Sequence, residues 1–454
     1  MTVSTGQQLY DFASLIYPIC RSITGNGVRE TLRLVGQRVP LRVHEVPTGT
    51  RAFDWEVPLE WNIEDAYVLD PEGRRVVDFR EHNLHVVSYS EPVSTSMPRE
   101  ELLPHLHALP EHPDWIPYRT SYYRRSWGFC LRQHDLDRLP AGSYRVEIQS
   151  RLARGSLTYA EAVIPGRTQD EVLFFAHVCH PSLANDNTSG IAIATALAQW
   201  VAGESRRYTY RFVFAPGTIG SLCWLARNES RLSRVRHGMV LALLGDPGPL
   251  TYKMSQRENS DIDLVASYVL SVIDLNARVI GFSPYGYDER QLCSPGFDLP
   301  VGRLTRSVNG GYPQYHSSAD DLSLIRPEAL AQSYEACRDI ISILETDGRY
   351  VNLSPKGEPL LGKRGLYGSV GGRSPAEREH ALLWVLNQSD GTRSLLDIAR
   401  RSGIDFERIR AAAGELQSAG LLEPQGAKRR GRTRVSGAQR AVGARKPRSK
   451  RGGR

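Results

Sequence analysis

The 454-residue sequence predicts an α/β protein with a mostly parallel central sheet, and three observations support this fold class. Short apolar segments alternate with helical patterns from about residue 170 to residue 345. Polar residues that can bind metal follow several of these apolar segments. Residues 60 to 150 are rich in strand patterns, whereas the end of the chain is helical. The chain is therefore expected to carry two further domains.

Four apolar segments are predicted strands: "EVLFFAH", "YTYRFVFAP", "GMVLALLG" and "LPVGRL". A helical pattern follows each of them, over 188–202, 219–229, 260–274 and 327–345. Strands that alternate with helices usually lie parallel in one sheet, and ligands bind beyond the carboxyl ends of such strands. The polar residues that follow the strands are thus expected to share one edge of the sheet.

The domain boundaries follow from changes in these patterns. We assign 1–55 and 151–350 to the α/β core, which includes helical segments at 5–19 and 27–38, and 56–150 to an inserted β-rich domain. The only good helix pattern in that insert is "MPREELLPHLHAL". A segment rich in Gly and Pro, 355–372, predicts a linker. Three helical patterns in 373–424, with Gly403 at a tight turn, predict a winged-helix domain.

The net charge of +7 comes from a basic tail. After Gly426 the chain has twelve Lys or Arg residues and no acid, and without these twelve cations its net charge becomes −5. Residues 425–454 are therefore expected to be disordered. Contact with nucleic acid or another polyanion and a solubilising role both stay open for the tail. The predicted recognition helix has Arg408 and Arg410 beside several acids, which favours packing over DNA binding.

Composition also limits the cellular setting. No apolar run approaches the roughly 20 residues that span a bilayer, and the N-terminus does not resemble a secretory signal. The six cysteines are scattered and form no CxxC pair, which is typical of reduced thiols. We therefore expect a cytoplasmic protein without a membrane partner. The sequence does not predict an oligomeric state.

The polar residues at the predicted strand ends are of the types that bind a hydrolytic zinc ion. Each has an ordinary alternative, such as helix capping for an aspartate. Their joint occurrence at successive strand ends favours a metal site, with Asp320 and Asp321 near enough to orient the ring of the last histidine. The candidate ligands are His177, His180, Asp186, Asp246 and His316.

The order of "NDNTSG", "GDPG" and "YHSSADDL" resembles that in the co-catalytic zinc aminopeptidases of the bacterial leucyl aminopeptidase type. Glutaminyl cyclases and glutamate carboxypeptidases share their fold. More closely, the chain to about residue 424 resembles an aminopeptidase-like family whose genes often lie beside those for surface-polysaccharide biosynthesis. "YPICRSITGNGVRETL", "SYYRRSWGFC", "CHPSLANDN" and "GYDERQLCSPG" carry this likeness. The implied fold is a zinc-aminopeptidase-like core with an inserted domain and a C-terminal winged helix.

The resemblance implies roles for single residues. Asp186 matches the metal-bridging aspartate, Asp246 the terminal aspartate ligand and His316 the last histidine ligand. His177 and His180 both stay open as the first histidine ligand, with His180 slightly favoured. The implied function is a metallopeptidase-like hydrolase that uses Zn²⁺ to cleave an amide next to a free amine. Its substrate would be a small peptide or an aminoacylated metabolite. An inactive binding or scaffold protein and a winged-helix regulator are the alternatives.

The chain departs from the family at the general base. The aminopeptidases carry a Glu-Glu pair after the third motif, and some close relatives keep one Glu as "PETIGS", but this chain reads "PGTIGS" with Gly217. Hydrolysis by an activated water still needs a base. Glu289 in "GYDERQ" is the predicted catalytic base. A structural salt bridge between Glu289 and Arg290 or Arg303 is the alternative.

Overall fold

The computed structural model describes residues 4–308, 310–366 and 377–426. The chain divides into two compact units, Met1–Thr346 and Asp347–Arg454. The predicted basic tail lies outside the described residues from residue 427 onward, and the predicted linker does so from residue 367. No helix among the described residues is long and apolar enough to cross a membrane.

The first unit contains sixteen of the described strands. They are β1 (Arg42–Pro47), β2 (Arg51–Ala52), β3 (Trp55–Glu56), β4 (Glu60–Leu69), β5 (Arg75–Asp78), β6 (Val93–Pro98), β7 (Leu106–His107), β8 (Phe129–Cys130), β9 (Ser143–Ala153), β10 (Ser156–Ile164), β11 (Glu171–His177), β12 (Thr209–Ala215), β13 (Val235–Leu241), β14 (Thr251–Lys253), β15 (Arg278–Ile280) and β16 (Val301–Thr305).

Nine of the described α-helices belong to the same unit. They are α1 (Thr5–Ile16), α2 (Asn26–Gly36), α3 (Arg99–Leu102), α4 (Gln133–Asp137), α5 (Gly190–Ala202), α6 (Ile219–Asn228), α7 (Asp261–Ile273), α8 (Glu289–Leu292) and α9 (Pro327–Thr346).

The central sheet is mixed, with a parallel middle. Its order is β1-β10-β12-β11-β13-β16-β14-β15. The four strands β12, β11, β13 and β16 run parallel. The pairs β1–β10, β10–β12 and β14–β16 are antiparallel, whereas the edge strand β15 pairs parallel with β14. The predicted parallel sheet is therefore present in the middle, where all four predicted strands lie. The carboxyl ends of these strands meet at one edge, as expected for an α/β sheet.

Hydrophobic burial fixes these strands and helices. Every residue of β11 is buried, as is typical of a central strand covered on both faces. Phe174 on β11 stacks on Phe212 of β12, with ring centroids 5.0 Å apart. Helices α1, α5 and α9 pack against one another, and α5 also packs on β11 and β12. On the other face, Leu173 and Phe175 share a core cluster with Trp224 of α6.

Residues 60–153 form a separate antiparallel sheet in the order β5-β4-β9-β6. Its buried side chains, such as Tyr144 and Val146, belong to the same core cluster as Phe175 and Trp224. The predicted helix over 97–109 is much shorter than expected. Helix α3 covers only Arg99–Leu102, because Pro104 cannot donate the backbone hydrogen bond that a longer helix needs. Sequence analysis missed the short helix α4.

The second unit contains β17 (Arg349–Asn352), α10 (Glu377–Gln388), β18 (Asp390–Ser394), α11 (Leu395–Ser402), α12 (Phe406–Ser418) and β19 (Leu422–Pro424). The strands pair in the order β18-β17-β19. Gly403 ends α11 with a left-handed φ of 69°, and the Asp405 side chain caps α12. This unit starts at Asp347 and its first strand, β17, at Arg349, whereas the sequence placed the winged helix at 373–424 and ended the core at 350.

Candidate metal centre

His177 is the last residue of β11, so the strand carries its imidazole to the carboxyl edge of the sheet. The ring is buried, and its Nε2 lies 2.6 Å from Oδ1 of Asp186. Its Nδ1 is buried without a hydrogen-bond partner among the described residues. Buried polar atoms are rarely left unpaired, so this nitrogen points to a missing ligand.

His180 and Asp186 lie on the loop between β11 and α5. Nδ1 of His180 is 3.4 Å from Oδ1 of Asp186, the same oxygen that faces His177. Arg21 donates from Nε to the His180 carbonyl oxygen at 2.8 Å and thereby holds the loop. The Asp186 carboxylate is completely buried. The structure therefore brings both candidate first ligands, His177 and His180, to one carboxylate.

His316 approaches Asp186 from the loop after β16, with its Nε2 3.1 Å from Oδ2 of Asp186. The φ of His316 is 57°, an uncommon conformation for a residue other than glycine. The backbone N–H of Tyr118 donates to the His316 carbonyl oxygen at 2.8 Å. A residue of the predicted insert therefore holds the loop that carries the third imidazole.

The donor atoms fit a divalent cation. One ligand atom each from His177, His180 and Asp186 lie within 4.8 Å of one another. Burial lowers the pKa of His180 to about 4, so its ring is neutral at physiological pH. Burial alone would raise the pKa of Asp186, but the imidazoles of His180 and His177 outweigh it and hold that pKa well below its usual value. Neutral imidazole and ionised carboxylate are the forms that bind zinc.

The structure does not bring Asp246 into this cluster of donor atoms, contrary to the prediction. Its Oδ1 accepts hydrogen bonds from the Gly248 N–H and the Ser307 hydroxyl, at 2.8 and 2.7 Å. Its Oδ2 accepts from the Asn185 side chain and the Ser307 N–H, at 2.9 and 3.2 Å. Four donors occupy both oxygens, so Asp246 supports the loop beside Asp186.

The Asp320 carboxylate does not orient the His316 ring as predicted. It accepts hydrogen bonds from the backbone N–H groups of Asn185 and Asp186, at 2.6 and 3.0 Å. Asp321 caps the N–H of Ser323. The two aspartates thus hold backbone segments, and Asp320 fixes the loop that presents the Asp186 side chain.

A cavity of about 250 Å³ opens onto the histidines, and tyrosines form much of its wall. The Tyr118 ring lies edge-on to His180 and His316, with centroids 5.4 and 5.1 Å apart. Tyr287 stacks on His177, and Tyr315 stacks on His316 at 3.9 Å. Sequence analysis missed these tyrosines, although Tyr287 and Tyr315 lie in the motifs "GYDERQ" and "YHSSADDL". The available signal was that Tyr315 directly precedes the candidate ligand His316 and that Tyr287 lies two residues before Glu289.

The geometry does not support Glu289 as the base. Its side chain is fully buried, and Oε1 lies 3.0 Å from Nζ of Lys253 and 3.3 Å from a guanidinium nitrogen of Arg303. Glu289 does not belong to the described residues that line the cavity, whereas its neighbour Asp288 does. The ion pair with Arg303 was the predicted alternative, but Lys253 was not anticipated.

Gly217 and Cys179 also line this cavity, beside His177 and Asp288. The Gly217 N–H donates to Sγ of Cys179 at 3.3 Å. Burial raises the pKa of the Cys179 thiol to about 12, so the thiol stays protonated and unreactive. Cys179 therefore does not act as a nucleophile in this cavity.

Comparisons with known proteins agree with this architecture. The family described as "Domain of unknown function (DUF4910)" matches residues 10–347, and a winged helix-turn-helix family matches residues 348–424. The chain is 48% identical over 421 residues to a Clostridium acetobutylicum protein, covering 92% of this chain and 96% of that protein. That protein carries the provisional name polysaccharide biosynthesis protein with aminopeptidase-like domain.

Solved structures show the same fold. A C. acetobutylicum protein, provisionally described as a peptidase, superposes with a TM-score of 0.88 at 46% identity, over 92% of this chain and 96% of that one. A zinc aminopeptidase from Bacillus subtilis gives a TM-score of 0.56 at 11% identity, over 75% and 95% of the two chains. The first unit therefore has an aminopeptidase-like fold, and the chain belongs to the DUF4910 family, here joined to a winged helix-turn-helix domain.

Proposed function

We propose that this protein is a zinc-dependent hydrolase that cleaves an amide bond next to a free amine. One observation carries the proposal: a buried carboxylate, Asp186, faces three imidazoles at the wall of a cavity at the carboxyl edge of the sheet. In such sheets ligands bind at this edge. Histidine and carboxylate donors are also the usual ligands of a catalytic zinc ion.

The side chains of the candidate site would have different roles. His177, His180 and Asp186 would hold the ion, with His316 at the second oxygen of Asp186. When bound, zinc supplies Lewis-acid polarisation of a carbonyl group and activation of water. Tyr118 packs against His180 and His316 and keeps their rings oriented.

The size of the cavity limits the substrate. A volume of about 250 Å³ accepts one small residue or a comparable group beside the histidines. A short peptide or an aminoacylated metabolite therefore fits the site. The name of the C. acetobutylicum relative refers to polysaccharide biosynthesis, which supports an aminoacylated sugar among these substrates.

An inactive binding protein is the second candidate, because Gly217 provides no carboxylate where relatives of the resembled family place one. A regulator that binds DNA through the second unit is less well supported. Arg408 and Arg410 on α12 pair with Glu377 and Glu407, so their charges are already compensated within that unit.

We also propose a cytoplasmic location. All six cysteines lie in the described part of the chain, and all six are free thiols. Reduced cysteines are the usual state in the cytosol.

Hydrolysis of a defined substrate panel tests the proposed function. We expect the zinc-loaded protein to hydrolyse L-leucyl-4-nitroanilide or aminoacyl amides of amino sugars. The activity should be lost on chelation and restored by zinc. Asp186→Ala should abolish it, whereas Asp170→Asn, a change of an exposed carboxylate paired with Arg236, should not. A zinc-loaded protein that hydrolyses no member of the panel would favour the inactive binding protein.

A further inference from the structure

The Asp288 carboxylate occupies the wall of the cavity beside Gly217. Its side chain is only 1% exposed, and its Oδ1 accepts a hydrogen bond from the Thr218 N–H at 2.9 Å. This bond attaches Asp288 to the segment that follows β12. The next residue, Glu289, binds Lys253 and Arg303, so adjacent carboxylates have different surroundings.

The second oxygen of Asp288 has no hydrogen-bond partner among the described residues, although it is buried. The Ser221 hydroxyl interacts with Asp288 closely enough to lower the pKa of that carboxyl, but it donates its proton to the Thr218 carbonyl oxygen at 2.8 Å. A buried carboxylate oxygen without a donor is costly, so a ligand or water is expected there.

Gly217 provides the space that this oxygen faces. A Cβ atom on Gly217 would lie 4.0 Å from Oδ2 of Asp288, 3.5 Å from Sγ of Cys179 and 3.9 Å from Cβ of His177. These are ordinary contact distances, so the backbone there would accept a side chain. The Asp288 carboxylate thus lies next to the position that a side chain at residue 217 would occupy in the cavity.

We propose that Asp288 is the catalytic carboxylate that accepts a proton from the attacking water in this cavity. The proposal rests on the proposed hydrolase function and replaces Glu289 in that role. Burial also raises the pKa of Asp288, which makes its carboxylate a better proton acceptor than an exposed aspartate.

In the proposed reaction, Asp288 takes up one proton and later returns it. The water oxygen forms a bond to the amide carbon while one water proton moves to Oδ2 of Asp288. The bond between carbon and nitrogen then breaks, and Oδ2 returns the proton to the departing nitrogen. The products are a carboxylic acid and an amine, and Asp288 ends the cycle deprotonated. No oxidant or reductant is needed.

The first test compares the kinetics of zinc-loaded Asp288→Asn with those of the parent on L-leucyl-4-nitroanilide. Asparagine can still accept the Thr218 hydrogen bond, so the fold and the zinc content should persist. We expect kcat to fall by about 10²- to 10⁴-fold with KM little changed. Asp170→Asn is the matched control. A higher KM with unchanged kcat would instead make Asp288 a binding group for the substrate amine and overturn the proposal.

The second test does not depend on turnover. Acetohydroxamic acid loses a proton when it binds zinc, and a nearby base keeps that proton in the protein. Calorimetry in two buffers of different ionisation enthalpy should show that Asp288→Asn releases about one more proton per bound ligand than the parent, or binds at least tenfold more weakly. Equal affinity and equal proton release in both proteins would overturn the proposal. Asp288→Ser replaces Asp288→Asn in both tests if the asparagine variant does not fold.

The two proposals can fail separately. The protein could hydrolyse no substrate while its proton release on hydroxamate binding still depends on Asp288. That result would overturn the proposed function but retain Asp288 as the proton acceptor. A parent that binds neither zinc nor hydroxamate would overturn both. Rescue gives a further check, since Gly217→Glu in the Asp288→Asn background should recover at least tenfold in kcat. An Asp288→Asn protein with the full kcat of the parent would leave nothing to rescue and would overturn the proposal.

Discussion

Three imidazoles surround the Asp186 carboxylate because each lies at the end of a strand or on a loop that follows one. His177 ends β11, and His180 and Asp186 follow on the next loop. Backbone N–H groups of that loop are fixed by Asp320, while Asn185 is fixed by Asp246. These second carboxylates take no part in the cluster of donor atoms, but they set the direction of the Asp186 side chain.

The buried ion pairs of Glu289 are expected to stabilise the fold. Lys253 and Arg303 are each 2% exposed and share Oε1 of Glu289. Glu289→Gln removes the negative charge between two buried cations, so we expect the free energy of unfolding to fall by about 1 to 3 kcal/mol. Urea denaturation measures this change. Glu335→Gln, in an exposed pair with Arg338, is the control and should stay within about 0.5 kcal/mol of the parent.

Turnover of Glu289→Gln separates its two possible roles. If Glu289 is structural, kcat per folded molecule should equal that of the parent. A loss of kcat without a loss of stability would restore Glu289 as the catalytic base.

His237 on β13 predicts a dependence of stability on pH. Burial lowers the pKa of His237 to about 4, and its ring lies edge-on to Tyr208. In the unfolded chain the His237 imidazole has a pKa near 6.5. Between pH 6.5 and 4 this imidazole is therefore protonated in the unfolded chain but neutral in the folded chain. Stability should therefore decrease as the pH falls, and His237 should account for about 2 kcal/mol between pH 7 and 4.5.

His237→Phe keeps an aromatic ring beside Tyr208 but cannot take a proton. Chemical denaturation of this variant at several pH values should show a shallower loss of stability below pH 6.5. An unchanged slope would contradict the role given to His237.

At the scale of the elements, α12 determines what the second unit can bind. Arg378 pairs with Glu415 at 2.5 Å, and Arg408 and Arg410 also pair with acids. A chain that ends at Gly426 should therefore bind duplex DNA only non-specifically, with a Kd weaker than about 1 µM at 150 mM salt. Fluorescence anisotropy measures this binding. Nanomolar, sequence-dependent affinity would contradict the charge argument.

Long periodic elements could be predicted from the sequence, whereas short ones could not. The predicted helix over 260–274 corresponds to α7, and the predicted strand 171–177 corresponds to β11, because hydrophobic periodicity marks buried faces. Helix α4 has five residues, and β14 and β15 have three each, so their patterns are too short to detect. The antiparallel pairs β1–β10 and β14–β16 depend on contacts that are distant in sequence.

At the scale of the whole molecule, the order of the motifs predicted which edge of the sheet carries the candidate site. It did not predict which of the candidate side chains lie together there. His177, His180, Asp186 and His316 meet as the strand-end rule suggests. Asp246 follows a strand at the same edge, but the donors that occupy it come from Asn185 and from Ser307 after β16. Asp288 and Glu289 are adjacent in sequence, and only the fold shows which of them faces the cavity.

Zinc titration of the full chain by calorimetry tests the central claim most directly. We predict about one zinc ion per chain, because one such group of donor atoms, the one around Asp186, is found among the described residues. Asp186→Ala should abolish this binding, whereas Asp246→Asn should retain a stoichiometry of about one, since the Asp246 oxygens already accept four hydrogen bonds. A parent chain that binds no zinc, or an Asp186→Ala variant that binds it as tightly as the parent, would contradict the account.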